Sequence, residues 1–321
     1  MKEITKLHTA ATNGNRRGTK QLLHAAKEPK KQVTLQNSNQ KTAYLFIIPF
    51  IVLHLIFTVF PSLYSLVLSF FNYKGYGSAS FCGIKNYIRL FTYRNTWISL
   101  GNTAVYFFVK VTICTFFGFI FALLVHSKLI GSKAKRIYKP LIYLPQMCAV
   151  VACCLLFQVL FSTNNGIINN ALNINVKWLT DESLMKIPVF ALLVWRNVGW
   201  YFLILLTGLT NINMDLLEAA EIDGANFFNR VIKIIIPMMK PTFSFLLITE
   251  AINALKLYSE PNLVIHRIQL APNSVAPYMN MIISQINSGN FGMASAAGVL
   301  LCVLTFVLTN IMVKGLRENV K

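Results

Sequence analysis

Charge is scarce in this sequence: only 13% of its 321 residues are Asp, Glu, Lys or Arg, against about 25% in an ordinary soluble domain. With 55% apolar residues and a mean hydropathy of +0.54, the few charges fall between long apolar stretches that need a non-aqueous solvent. This excludes a disordered chain and an ordinary soluble globule, and leaves a polytopic membrane protein. Acidic residues are scarcest of all, 11 against 30 Lys and Arg, for a formal net charge of +19. In a soluble protein that excess would point to nucleic acid. Among membrane spans it encodes orientation, so no nucleic-acid partner is expected.

Chemical equipment is missing too. There is no G-x-x-x-x-G-K-[ST] phosphate loop, no H-E-x-x-H, no G-x-S-x-G and no His/Asp cluster at catalytic spacing. The six cysteines, Cys82, Cys114, Cys148, Cys153, Cys154 and Cys302, form no CxxC pair, and all but Cys82 lie in apolar stretches as small packing residues. His8, His24, His54, His126 and His266 are scattered and read as solvated or interfacial. No catalytic residue, metal or bound cofactor is therefore expected. The chain is not read as an enzyme, and any driving energy has to come from a partner or an ion gradient.

What is present is six apolar stretches, near 44–71, 102–126, 140–162, 187–210, 242–264 and 294–315, each long enough to cross roughly 30 Å of hydrocarbon as a helix. The predicted fold is all-α with six transmembrane helices. Pro61 is expected to kink the first stretch or end it before Phe71. Glu250, Asn253, Lys256 and Glu260 interrupt the fifth. Residues 1–43 form a basic, Asn/Thr/Gln-rich tail, read as solvated, in which Gln21–Ala26 is a stretch suited to lipid headgroups. With that tail in front, the first stretch is read as a retained span and not a signal peptide. Twenty Lys and Arg fall on the side of the tail, loops 127–139 and 211–241 and the C-terminal tail, against seven on the other side. Both termini are expected to be cytoplasmic.

The loop at 211–241 holds the most information. Leu216 to Ile222 are strong helix formers, and Gly224 supplies the left-handed conformation that ends a helix. A second helical turn is expected to follow until Pro237 stops it. Ala219, Ala220 and Ala225 leave this knob thin enough for a neighbour's backbone, while Glu218, Glu221 and Asp223 offer carboxylates to Arg or Lys on that neighbour.

The order E-A-A-x-x-D-G-A, then I-x-x-P-x-x-x-P through Ile234, Pro237 and Pro241, resembles the EAA loop of membrane subunits in binding-protein-dependent ABC importers. Phe81-Cys82-Gly83-Ile84-Lys85-Asn86-Tyr87 resembles the F-x-G-x-x-N-Y segment of the sugar-permease branch that includes the maltose and glycerol-3-phosphate permeases. Asn102-Thr103, Gly166-Ile167-Ile168-Asn169, Trp195 with Gly199, and Asn290-Phe291-Gly292 with Ala294, Ala296 and Ala297 extend the likeness over most of the chain beyond the tail. Two positions depart from it: Asn213 stands where relatives usually carry proline, and Phe227-Phe228 is bulkier than common.

The resemblance implies a type I importer permease fold over 44–321, in the cytoplasmic membrane of a prokaryote. It implies that Glu218, Ala219, Ala220, Asp223, Gly224, Ala225 and Pro237 belong to a loop seated on a cytoplasmic ATPase, which alone binds ATP. The implied partners are a second homologous permease, an ATPase dimer, an extracytoplasmic solute-binding protein, membrane lipid and a carbohydrate solute, an oligosaccharide in the first instance. Other solute classes share the loop. From the residues alone, an ion-coupled secondary transporter and a lipid-acting membrane enzyme stay as rivals.

Ionisable groups inside spans default to functional candidates. Glu250, Asn253 and Lys256 fall three apart, with Glu260 seven beyond Asn253, so the set shares a helix face if the fifth span is one helix. It either lines a solute pathway or pairs internally. Arg196, Asn197 and Trp200 in the fourth span are similar candidates, since an aromatic face with hydrogen-bonding groups suits a sugar. Lys110, inside the second span, is expected to snorkel outward.

Overall fold

The computed structural model describes residues 39–127, 130–265 and 272–318, which fall into two compact units divided after Pro61. Nearly all of the basic tail, Gln21–Ala26 included, lies outside the described residues, as do Lys128, His266 and Arg267.

In the first unit α1 (Asn39–His54) continues into a π-helical turn, Leu55–Val59, and α2 (Phe60–Leu68) begins at its end. Pro61 does not break the run. The wider π turn directly before it makes room for the ring and for the carbonyl that proline cannot bond. Tyr44–Leu68 forms an apolar stretch long enough to cross a membrane, and the helix ends before Phe71, as expected.

Among its described residues the regular structure of the second unit is helical apart from a two-stranded ribbon, β1 (Phe71–Asn72) against β2 (Ser80–Phe81), antiparallel with Phe71 opposite Phe81. Its helices are α3 (Lys85–Thr92), α4 (Arg94–His126), α5 (Ser132–Met147), α6 (Val150–Leu160), α7 (Ile167–Leu172), α8 (Lys186–Thr210) and α9 (Met214–Ile222). Then come α10 (Phe227–Arg230), a π-helical turn (Val231–Ile235), α11 (Ile236–Met238), α12 (Lys240–Leu255), α13 (Ser259–Ile265), α14 (Tyr278–Asn287) and α15 (Phe291–Glu318). Among the described residues four helical runs are each long and apolar enough to span, and counting each of two bent pairs as one span brings the number to six.

The bends correct two expectations. The third span is not straight: α5 and α6 meet at 89° across Cys148 and Ala149, just after Pro145. The fifth does not run through 242–264. It is bent by 62° at Met239, where Pro241 follows in the first turn of α12, and α12 ends at Leu255. Glu260 belongs to the separate α13, so it shares no helix face with Asn253.

Helix α8 is the hub. Lipid is as apolar as leucine, so spans associate through close packing and small residues, and glycines mark three of the contacts of α8. A Cβ on Gly118 of α4 would lie 2.9 Å from Tyr201 Cβ, and one on Gly199 would lie 2.5 Å from Ile142 O of α5. One on Gly208 would lie 2.6 Å from Thr242 Oγ1 of α12. Around these contacts Tyr201, Phe202, Leu205 and Leu209 bury one core, and Val189, Leu192 and Leu193 anchor a second with Cys153, Cys154 and Phe157 of α6.

Asparagines close the non-helical segments. Asn102 Nδ2 donates to Asn273 O (2.8 Å) and Ala276 O (3.0 Å), and Tyr106 Oη donates to Val275 O (2.9 Å), pinning 273–276 onto α4. Thr103 Oγ1 accepts from Tyr278 N (2.9 Å), and Tyr278 Oη donates to Ala297 O of α15 (3.1 Å). Asn86 donates to Ser69 O (2.8 Å) and Phe71 O (2.9 Å); Asn169 donates to Thr163 O (3.0 Å) and Val176 O (2.9 Å) and accepts from Trp178 Nε1 (2.7 Å). The buried amides of Asn262 and Asn280 exchange hydrogen bonds of 2.9 and 2.8 Å.

A Gly199→Val side chain would collide with the α5 backbone. It is expected to cost about 1–3 kcal/mol, read as a thermal unfolding midpoint several degrees lower in detergent. Gly101→Ala, whose Cβ meets nothing within 4 Å, is expected to unfold at or above the wild-type temperature.

Candidate functional site

The loop after α8 folds as its sequence asks. Asn213 caps α9, its side chain accepting from Asp215 N (3.0 Å), so the residue that departs from proline does a different job at the same place. The helix ends at Ile222; Gly224 takes φ +82°, and Ala225 N donates back to Ala220 O (2.9 Å). Asn226 caps the next turn through Asn229 N (2.8 Å).

Pro237 does not stop the second helix. The π turn Val231–Ile235 precedes it and the helical path continues to the bend at Met239. Glu221 accepts from Arg230 Nη1 at its Oε2 (2.6 Å), an ion pair between α9 and α10 in which the Glu221 side chain stays exposed. Asp223 is exposed, and so are the apolar Leu216, Phe228 and above all Ile222, at 87%. Phe227 packs edge-on against Phe228. Behind the loop a cavity of about 340 Å³ separates it from the end of α4, lined by Leu123, His126, Leu217, Phe227, Arg230 and Ile235 among others.

The ionisable groups of the spans pair with one another. Lys110 of α4 does not snorkel; its Nζ lies 2.5 Å from Glu250 Oε1 of α12, with side-chain exposures of 13% and 4%. Helix α4 is 33 residues long with Lys110 at its middle, so the pair sits far from either end of the span, where a lone charge would be costly. Tyr201 of α8 and Cys114 of α4 lie within electrostatic reach of Glu250. The cluster therefore joins α4, α8 and α12. Arg196 Nη1 lies 3.6 Å from Glu260 Oε1, linking α8 to α13.

The other candidates are divided. Asn197 is buried and gives its amide to Leu193 O of its own helix (2.7 Å), and Trp200 packs against the first core. Asn253 is exposed on α12, with Lys256 exposed one turn later. Sequence reasoning missed the partnership of Lys110 with Glu250 and missed the elbow after Met147. Pro140 and Pro145 in the third stretch were the available signal for the elbow.

Comparison with known proteins follows the same lines. A family described as "Binding-protein-dependent transport system inner membrane component" matches residues 114–320. The lactose transport system permease protein LacF of Rhizobium radiobacter is 33% identical over 223 residues, 68% of this chain and 74% of that one. The trehalose/maltose transport system permease protein MalF of Thermococcus litoralis is 27% identical over 286 residues, 87% of this chain and 95% of that one. The fold is similar to a chain in the crystal structure of a bacterial ABC transporter involved in import of the acidic polysaccharide alginate. The TM-score is 0.77 at 21% identity, covering 87% of this chain and 96% of that one.

Lys110→Met strands the Glu250 carboxylate in a dry site. It is expected to destabilise the protein by about 3–5 kcal/mol, while Lys110→Met with Glu250→Leu recovers most of that loss. Thermal unfolding of the two variants beside wild type in the same detergent measures both.

Proposed function

The chain belongs to the family of binding-protein-dependent transport system inner membrane components, and from that membership we propose that it imports a saccharide as the permease subunit of an ATP-driven transporter. It is a multi-pass membrane transport subunit and not an enzyme; ATP hydrolysis resides in a separate subunit. Membership replaces the ion-coupled transporter and the lipid-acting enzyme as readings. The curated relatives carry lactose, trehalose or maltose, and arabinooligosaccharides in their names, which supports a carbohydrate solute, an oligosaccharide first.

The observation that carries the mechanism is the knob at 214–230. In this reading it is the coupling element. Ile222, Leu216 and Phe228 give it an exposed apolar face, the alanines Ala219, Ala220 and Ala225 let a groove close on its backbone, and Glu218 and Asp223 supply carboxylates to basic groups of the ATPase. Gly224 fixes the angle between the two arms, and the path past Pro237 to α12 carries their displacement into the membrane. Loaded binding protein docks outside, ATP closes the ATPase pair, and α12 moves with the loop. A second, homologous permease completes the pathway, with both termini and the knob on the cytoplasmic side. Asn253 and Arg196 are the side chains proposed to meet solute, with Glu250, Asn197 and Trp200 supporting them from within the packed unit.

Tagged protein purified in mild detergent is expected to bring down a phosphate-loop ATPase and a second permease. Gly224→Val puts a β-branched residue at φ +82°, a strain of about 1–2 kcal/mol or more. It is expected to abolish the stimulation of ATP hydrolysis by loaded binding protein and to weaken ATPase retention. A variant that is stimulated like wild type, or a chain that purifies alone and transports on an ion gradient, would overturn the reading.

A further inference from the structure

Helix α3, with Ile84 just before it, presents three different surfaces, and the protein itself covers only one of them. Asn86 and Leu90, one turn apart, are buried: the first donates to Ser69 O and Phe71 O, and the second packs against Tyr278, Met281 and Ala297. On the open side Ile84, Ile88 and Phe91 fall on one line of the helix, spaced four and three apart, and all three are exposed. Beside that line runs a second, Lys85, Arg89 and Thr92, exposed as well. No acidic residue occurs between Glu28 and Asp181 of the sequence, and Lys85 and Arg89 form no ion pair among the described residues. An apolar ridge with an unneutralised basic flank, fixed from behind by buried side chains, fits a partner that is apolar at one level and anionic at the next.

The place of α3 in the fold identifies that partner. Only Tyr93 separates α3 from α4. Helix α4 has 33 residues, a length of about 50 Å against about 30 Å of hydrocarbon, and its far end at His126 borders the cavity behind the knob. Its Arg94 end therefore reaches the headgroup layer on the side of the membrane opposite the knob. Ser69 and Phe71, the residues that Asn86 holds, directly follow the first apolar stretch and put α3 at the same level. Trp97 then shows which way the ridge points. It lies one turn deeper along α4 than Tyr93, donates Nε1 to Phe91 O (2.8 Å), and sets its exposed ring 6.2 Å from that of Phe91. The ridge is thus on the membrane side of α3, next to a tryptophan at a span end, the usual anchor at the boundary of acyl chains and headgroups. Protein behind, hydrocarbon beneath and phosphate beside it is the order of surroundings that an amphipathic helix lying in the membrane plane requires.

We propose that α3 is an interfacial helix that binds anionic phospholipid in the leaflet opposite the knob, with Ile84, Ile88 and Phe91 among the acyl chains and Lys85 and Arg89 on the phosphates. The site is independent of which solute the protein carries and does not rest on the import reading. Its buried face gives it reach: through Leu90 the helix is packed on α14 and α15, so phospholipid held at α3 steadies both.

Trp97 is a built-in reporter for this site. The full chain is reconstituted in phosphatidylcholine nanodiscs that carry a minor fraction of acyl-brominated phosphatidylglycerol or, at the same fraction, acyl-brominated phosphatidylcholine. Emission from Trp97 is the difference between wild type and Trp97→Phe. Brominated phosphatidylglycerol is expected to quench that emission about twofold or more as strongly as brominated phosphatidylcholine. Lys85→Gln with Arg89→Gln, compared in the same two backgrounds, is expected to remove the excess while melting like wild type in phosphatidylcholine alone. Equal quenching by the two lipids, or an excess that survives the double substitution, would overturn the anionic-lipid site. No quenching by either would put the ridge in water or under a partner protein and overturn the interfacial placement as well. Should Trp97→Phe fail to fold, hydrogen–deuterium exchange over 85–97 in the wild-type chain decides the same question. Adding phosphatidylglycerol to phosphatidylcholine nanodiscs is expected to slow it severalfold, and no slowing would reject the site.

Discussion

Backbone polar groups have no water to fall back on inside a bilayer, and this single constraint organises the structure. Helices satisfy it for themselves; where the chain leaves the helix for more than a corner, side chains stand in for solvent. Asparagine is suited to this because its amide donates two hydrogen bonds and accepts through its carbonyl oxygen, all on a short stem. Asn102 holds 273–276 against α4, Asn86 ties α3 to the end of the first span, and Asn169 closes the loop after α6. Each has two carbonyl acceptors, so each replaces about two waters. The short motifs around Asn86, Asn102 and Asn169 are therefore staples of the fold.

The same constraint applied to charge explains the interior. Lys110 and Glu250 could not each be carried alone at that depth, and together they cost less than either. Their pairing fastens α12 to α4 at a point shared with Tyr201 of α8. Glycine does the complementary work where no polar group is involved. Gly118, Gly199 and Gly208 bring α4, α5 and α12 to backbone distance from α8. The loop at 211–241 joins this hub at both ends, directly to α8 at Thr210 and through the bend at Met239 to α12.

How much of this was legible in the sequence depended on the range of the signal. The first helix of the knob and its end at Gly224 were legible, since both rest on neighbours a few positions away, whereas the caps at Asn213 and Asn226 went unread. The number of spans was legible because hydropathy is local. Partnerships were not. Lys110 and Glu250 lie on helices far apart in the chain, and a lysine nine residues into a predicted span looks the same whether it snorkels or pairs. Helix geometry past prolines was misjudged for a related reason. A π turn before Pro61 or Pro237 costs one extra residue of slack and leaves no mark in composition.

Two bends inside the apolar runs, the elbow at 148–149 and the one at Met239, are closed by backbone alone, with no side-chain cap on the helix that follows. Cys148 N donates to Pro145 O (3.3 Å) and Cys153 N to Ala149 O (3.1 Å), so the elbow gives up only the bonds that a corner cannot make. At the second bend Met239 N donates to Ile235 O (2.9 Å) and Phe243 N to Met239 O (3.0 Å). A proline lies within four residues of each corner, at Pro145 and at Pro237 and Pro241, and a residue with no N–H to satisfy is the economical place to turn a helix. Asparagine staples and proline corners are thus two answers to the same constraint, the first for segments that leave the helix altogether and the second for helices that only change direction.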